Sequence, residues 1–236
     1  MQKKSKPSTG SCCHAETTTS HTSSISHELL CHFPYAVFAV ALSLVFLTLF
    51  GYTNPTSYRE LHGLFHTLHF LHILFAATGT VLVFRKYGGS LLGSLGVGMF
   101  VPAVFCTLSD AIMPYFGGLL CGIPMHFHFC FRDHFTTILL FLVVGVVNGI
   151  VMSFHDSDGQ QKYATTAHFA HIFISAFAST VYMISHGFSD WYQHMGFVFS
   201  FLLIAVLIPC TLADVVVPAF FGGMSAKSAR ARRHGE

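Results

Sequence analysis

Apolar stretches near residues 33–52, 62–84, 91–112, 135–154, 164–186 and 195–217 alternate with short polar segments along the chain. Roughly 20 apolar residues suffice for a helix to cross the hydrocarbon layer, so the pattern predicts an all-α polytopic membrane protein with six transmembrane helices. A further stretch, "YFGGLLCGIPMHFHFCF" at 115–131, is apolar but broken by Gly and Pro. A loop or re-entrant segment is expected there. Residues 1–32 are polar and rich in Ser and Thr, the composition of a disordered tail. The first apolar run begins too late for a signal peptide, so the first helix is expected to remain as an anchor.

The pattern is written twice. "CTLSDAIMPYFGG" at 106–118 agrees with "CTLADVVVPAFFG" at 210–222 at seven of thirteen positions, and "HFLHI" at 69–73 recurs as "HFAHI" at 168–172. The offsets are 104 and 99 residues and the order is kept, so helix 2 corresponds to helix 5 and helix 3 to helix 6. "HF" at 32 and at 134 pairs helix 1 with helix 4. Three spans is an odd number, so the second copy is expected upside down. The prediction is a 3+3 inverted repeat of the kind that places transport sites where two halves meet. It divides the chain into a Cys/His-containing tail (1–32), a first repeat (33–120), a His-rich loop or re-entrant segment (121–134), a second repeat (135–223) and a basic tail (224–236).

Composition agrees with the pattern: 53% of residues are hydrophobic and 9% charged, far below the ~25% charge of soluble proteins. Charge then orients the chain. With both termini cytoplasmic, ten of the twelve basic residues lie inside and only Arg59 and Arg132 lie outside. A multi-pass protein of the plasma (inner) membrane is expected. Nucleic-acid binding is not, because the basic tail "AKSARARRHGE" suits anionic lipid or solvent. Of seven cysteines only Cys121 and Cys130 could pair externally.

Candidate chemistry starts from the repeated Asp and Pro. Proline has no N–H, so Pro114 and Pro218 are expected to break their helices and free the carbonyls of Asp110 and Asp214. Cys106 and Thr107, or Cys210 and Thr211, fall on the same helix face as the aspartate. Sulfur, hydroxyl, carboxylate and carbonyl together make a cation perch. An ionised Asp within a span costs at least ~2.5–3.5 kcal/mol and therefore lines a polar path or has a partner. Such a carboxylate could also exchange a proton for a cation.

Histidine is the other signal, with seventeen in the chain. His62, His66, His69 and His72 are spaced by four, three and three, a stripe about 120° wide on one helix. The repeat predicts two half-sites, an outer one of His69, His72, Asp110 and Cys106 and an inner one of His168, His171, Asp214 and Cys210. His62, His66, His126, His128 and His134 outside, and Cys12, Cys13 and His14 inside, would relay metal at the mouths. Asp133, Asp190, His186 and His194 outside, and His21, His27, Cys31 and His32 inside, lie near those mouths. Imidazole with carboxylate suits Zn²⁺, Co²⁺, Ni²⁺ or Fe²⁺, and thiolate tilts the choice to Zn²⁺ or Cu⁺. "HELLCH" at 27–32 lacks the i, i+4 histidines of a zinc protease.

These features predict a permease for a divalent transition-metal cation, zinc foremost, with nickel, cobalt, copper or iron as other cargo, rather than an enzyme. The alternatives are a haem-binding or non-haem metal oxidoreductase of the membrane and, with less to recommend it, a structural subunit of a membrane complex. The expected partners are lipid and the metal cation; a homo-oligomer or a membrane-complex partner is compatible with the sequence.

Overall fold

A computed structural model describes residues 25–53, 58–155, 157–188 and 191–234. Among them every regular element is helical: α1 (Ile25–Thr53), α2 (Tyr58–Lys86), α3 (Leu91–Thr107), a π-helical turn (Leu108–Ile112), α4 (Met113–Leu120), α5 (Cys130–Met152), α6 (Ser157–Ser185), a 3₁₀ turn (Trp191–His194), α7 (Met195–Thr211), a second π-helical turn (Leu212–Val216) and α8 (Val217–His234). Five helical runs are long and apolar enough to cross a membrane, and α1 adds the shorter apolar stretch Phe33–Leu49. This is a multi-pass membrane protein.

Its polarity is inverted relative to a water-soluble fold. Leu92, Phe100, Leu140 and Phe38 face outward, 57–79% exposed, whereas His69, His72, Asp110, His171, Ser175 and Ser179 are buried. In lipid the apolar side chains gain nothing by turning inward, while the polar ones must find partners among themselves. α2 and α6 are the central helices: 61% of each apolar window is buried, against 28% for α5. α2 packs on α6 and α5, and α6 on α1 as well. Small residues permit the approach of α5 to α2, since a Cβ on Gly145 would stand 2.5 Å from the Leu74 carbonyl oxygen and one on Gly149 2.9 Å from that of Thr78. Thr78 Oγ1 donates to the Gly145 carbonyl at 3.0 Å, and Asn148 Nδ2 donates to Thr78 Oγ1 at 3.3 Å. The spacing of these two glycines with Asn148 between them is the sequence signature of that contact.

Both aspartates sit in π-turns. The N–H of Met113 reaches back to the Leu108 carbonyl, and that of Val217 to the Leu212 carbonyl, in each case five residues rather than four. Pro114 and Pro218 explain the widening. A proline in a continuous α-helix donates nothing to residue i−4 and crowds its carbonyl; one extra residue in the turn relieves that crowding. Proline thus reshapes the helix without ending it, and the run Leu91–Leu120 continues through the turn.

Several boundaries depart from expectation for the same reason, namely that backbone in or near lipid stays helical wherever it can. Residues 115–120, expected in the loop, belong to α4; 121–129 are irregular, α5 starts at Cys130 but kinks at His134, whose backbone is non-helical (φ −128°, ψ 27°), and residues 25–32 and 224–234, expected in the tails, are helical. Cys121 and Cys130 are free thiols, not a disulfide.

Candidate metal centre

The 29-residue helices α2 and α6 present their histidines to one another. They run antiparallel, since the His62 ring lies 5.4 Å from that of His186 and the His72 ring 4.5 Å from that of His171. His72 and His171 are each the fifteenth residue of their helix. At 1.5 Å per residue both lie about 21 Å from either helix end, mid-way along the helix.

Around that point six side chains form one polar chain. Asp110 Oδ2 lies 2.9 Å from Nδ1 of His69 and 2.6 Å from Nδ1 of His72; Asp214 Oδ2 lies 3.2 Å from Nδ1 of both His168 and His171. The sequence reading placed these as separate outer and inner half-sites. In the fold they touch, because His72 Nε2 stands 3.1 Å from His171 Nε2. Residues 99 apart in the repeat therefore meet each other, with Cys210 Sγ beside them, 3.7 Å from His72 Nε2.

Chemistry at this contact follows from the carboxylates. Asp110 receives two imidazoles on Oδ2 and the hydroxyls of Ser109 and Ser175 on Oδ1 at 2.8 and 2.9 Å, four donors around one buried acceptor. A carboxylate can only accept, so the N–H of His72 is on Nδ1 and its Nε2 presents a lone pair. Asp214 Oδ2 accepts from His168 Nδ1 and faces His171 Nδ1 at 3.2 Å, within ion-pair distance but outside hydrogen-bond geometry. At 3.1 Å the two Nε2 atoms either share a hydrogen bond, when one of them carries a proton, or are placed to hold a metal ion between them. With metal–nitrogen bonds of ~2.0–2.1 Å and a metal–sulfur bond of ~2.3 Å, a tetrahedral ion sets its ligands ~3.3 Å (N to N) and ~3.6 Å (N to S) apart. The observed 3.1 and 3.7 Å match those edges. The ligand atoms of His72, His171 and Cys210 all lie within 4.8 Å of one another, and all three residues are buried. Asp110 holds the far nitrogen of His72, the arrangement that orients a ligating histidine and raises its basicity, and Asp214 faces that of His171 at 3.2 Å.

The two halves differ in one respect. Ser109 and Ser175 have Ala213 and Ala76 as repeat counterparts, so Asp214 lacks the hydroxyls that Asp110 has. Its Oδ1 is buried with no hydrogen-bond partner among the described residues. Gly79 leaves it room, since a Cβ there would stand 3.3 Å from the carboxylate. His69 Nε2 is likewise buried without a partner.

A second group of imidazoles gathers where 121–129 meets the first turns of α2. His66 Nε2 lies 3.0 Å from His128 Nε2; the ligand atoms of His66, His128 and His134 lie within 4.8 Å of one another, as do those of His62, His128 and His186. Burial pushes the His128 imidazole below its ordinary pKa, with neighbouring His62 adding to the effect and Asp133, 3.7 Å away, opposing it.

Of the sequence candidates, the structure thus brings together His69, His72, Asp110, His168, His171, Asp214 and Cys210 at the centre, and His62, His66, His128 and His134 at the mouth. Cys106 is buried beside them but belongs to neither group of ligand atoms, and Thr107 turns its hydroxyl back to the Ala103 carbonyl. His126 is joined to this face by its backbone, whose N–H donates to the His186 carbonyl at 2.8 Å. Cys12, Cys13, His14, His21 and Asp190 lie outside the described residues. Sequence reasoning missed Ser109, Ser175 and Ser179 as partners of the first π-turn. A signal was present: 171, 175 and 179 follow at intervals of four and so share a helix face. Compared with known protein families, with curated proteins and with solved structures, the chain matches none.

Proposed function

We propose that the protein is a membrane permease for a divalent transition-metal cation, with Zn²⁺ the best fit, bound midway by His72, His171 and Cys210. The observation that carries this reading is the 3.1 Å separation of two imidazoles, each with its far nitrogen facing a buried carboxylate, with a thiol 3.7 Å from one of them. A soft sulfur with two imidazoles suits Zn²⁺, and Co²⁺ serves as its spectroscopic substitute. Charge balance points the same way. Asp110 and Asp214 bring two negative charges to the middle of these helices and a ligating Cys210 thiolate would add a third, most of which a divalent cation offsets. The separation also favours a single ion over haem, whose axial imidazoles stand ~4 Å apart, twice a metal–nitrogen bond, with the ring between them.

Transport rather than storage is supported by the line of side chains leading to the site. His62 and His66 lie toward one end of α2, and His168, 19% exposed at its side chain, lies toward the other side of the centre. The duplication supplies a means of alternating access. Equivalent contacts recur between the halves: α2 with α5 as α6 with α1, α3 with α5 as α7 with α1, and α2 with α8 as α6 with α4. This agrees with two inverted three-helix repeats, six spans and both termini on one side, cytoplasmic by the distribution of basic residues.

The test is uptake of Zn²⁺ into proteoliposomes by the full chain and by His72→Ala, His171→Ala, Asp110→Asn and Asp214→Asn. Each variant is expected to lose transport while inserting normally. Undiminished transport in the two histidine variants would overturn the reading. A metal enzyme is the second reading, favoured by one observation: three protein ligands leave a fourth position free, as at catalytic zinc sites. Stoichiometric metal that never crosses the vesicle wall would turn the weight to it.

A further inference from the structure

The mouth cluster has no counterpart in the second half of the molecule. By the 99-residue offset His62 and His66 correspond to Gln161 and Thr165, and residues 121–129 have no repeat at all. An asymmetry of this kind is not needed to complete the central site, which His72, His171 and Cys210 already form.

Several side chains here are fixed in the polarity of metal ligands. His66 Nδ1 lies 2.8 Å from the His62 carbonyl oxygen, which can only accept, so its Nε2 presents a lone pair toward His128. His186 is 2% exposed, and its Nδ1 lies 2.9 Å from the Tyr182 carbonyl oxygen, leaving Nε2 for a ligand. That Nε2 is buried with no partner among the described residues. His128, on the irregular segment, is common to both three-histidine groups, and its backbone N–H is anchored by the Tyr182 hydroxyl at 3.1 Å.

We infer that His62, His66, His128, His134 and His186 form a second metal site at this mouth, holding one transition-metal ion in either of two positions that share His128. A neutral imidazole offers one lone pair at a time, so the two positions that share His128 are filled one at a time. An ion taken by His128 with His62 and His186 moves toward the centre by exchanging those two for His66 and His134. The donor set is imidazole without sulfur, which suits Zn²⁺, Co²⁺, Ni²⁺ or Cu²⁺. This site extends the transport reading to its loading step, but its existence stands apart from the central site.

Co²⁺ binding to the purified full chain separates the two, because only a thiolate ligand gives a sulfur-to-cobalt charge-transfer band. The intact protein is expected to bind two Co²⁺ at these sites, one with that band and one without. His128→Ala is expected to lose the second ion and keep the band; Cys210→Ser should do the reverse. His62→Ala and His134→Ala, on separate helices, are each expected to weaken the mouth ion at least tenfold, and they decide the matter if His128→Ala does not fold. Two ions retained at unchanged affinity in all three histidine variants would overturn the inference, as would a single ion with the band in the intact protein. Loss of the band alone, with a His128-dependent ion remaining, would remove the central site and leave this one standing.

Discussion

Asp110 and Asp214 occupy equivalent positions but should not be equally costly to remove. Asp110→Ala leaves the Nδ1–H groups of His69 and His72 without an acceptor, and both side chains are shut off from solvent, at 0% and 1% exposure. The two hydroxyls it also releases have other acceptors in reach, Ser109 in the Cys106 carbonyl at 3.1 Å and Ser175 in Ser109 Oγ at 3.3 Å. Two buried donors left unpaired cost ~1–3 kcal/mol each, or about 2–6 kcal/mol in total. Asp214→Ala removes one hydrogen bond, that of His168, which is 19% exposed and can turn to solvent, together with the 3.2 Å ion-pair contact to His171, for a cost of about 1 kcal/mol. The asparagine variants isolate charge from hydrogen bonding. In Asp110→Asn the amide NH₂ can face the hydroxyls of Ser109 and Ser175, which rotate to accept, while the amide oxygen keeps both imidazoles. Its expected effect is a ~10–100-fold loss of metal affinity, the usual result of removing a carboxylate behind a ligating histidine, with little loss of stability. Unfolding in mixed micelles measures the alanine pair, and Co²⁺ titration competed with Zn²⁺ measures the asparagine pair. Equal destabilisation by the two alanines, or metal affinity within threefold of the parent in Asp110→Asn, would refute the reasoning.

Other outcomes can be checked in the same preparations. Gly145→Ala would push a methyl to 2.5 Å from the Leu74 carbonyl and part α5 from α2, costing about 1–3 kcal/mol, while Gly96→Ala, with open space around it, should be neutral in the same thermal melts. Thr80→Val and Ser179→Ala each remove one hydroxyl-to-carbonyl hydrogen bond between the halves, of 3.0 Å in both cases, and should each lower stability by about 1 kcal/mol in unfolding measurements. Membrane-impermeant maleimide applied to intact cells should label Cys121 and spare the buried Cys106, Cys130 and Cys210 in a variant without the N-terminal cysteines; absence of labelling would reverse the orientation read from basic residues.

What could be read from the chain was set by which physical signals are local. Hydropathy located the helices because lipid imposes a length on apolar runs, and duplicated motifs found the aspartates and their histidines because those residues are too costly to bury without a role. Lateral geometry was not legible. Spacing puts His69 and His72 on one face of α2, but nothing in it says that this face meets the histidine face of α6 midway along both helices, so the half-sites read as separate when they are joined. The effect of Pro114 was half legible: loss of its N–H follows from chemistry, whereas the choice between a broken helix and a π-turn depends on how α6 packs against that turn. His186 was visible only as a histidine near a helix end. Its part in the mouth cluster depends on the fold of 121–129, which has no periodicity to read.

The paired π-turns have a mechanical consequence. Each turn leaves one carbonyl, Ser109 in the first and Ala213 in the second, bound by a hydroxyl from the opposite half, Ser179 of α6 and Thr80 of α2. These are two latches 99 and 104 residues apart in sequence, operated by the same pair of central helices. Sliding either helix past the turn it is bound to would open one latch and strand a carbonyl and a hydroxyl in a dry interior, and sliding both would open two. The cheapest displacement would keep α6 with the first turn and α2 with the second, so each latch ties a central helix of one half to the π-turn of the other.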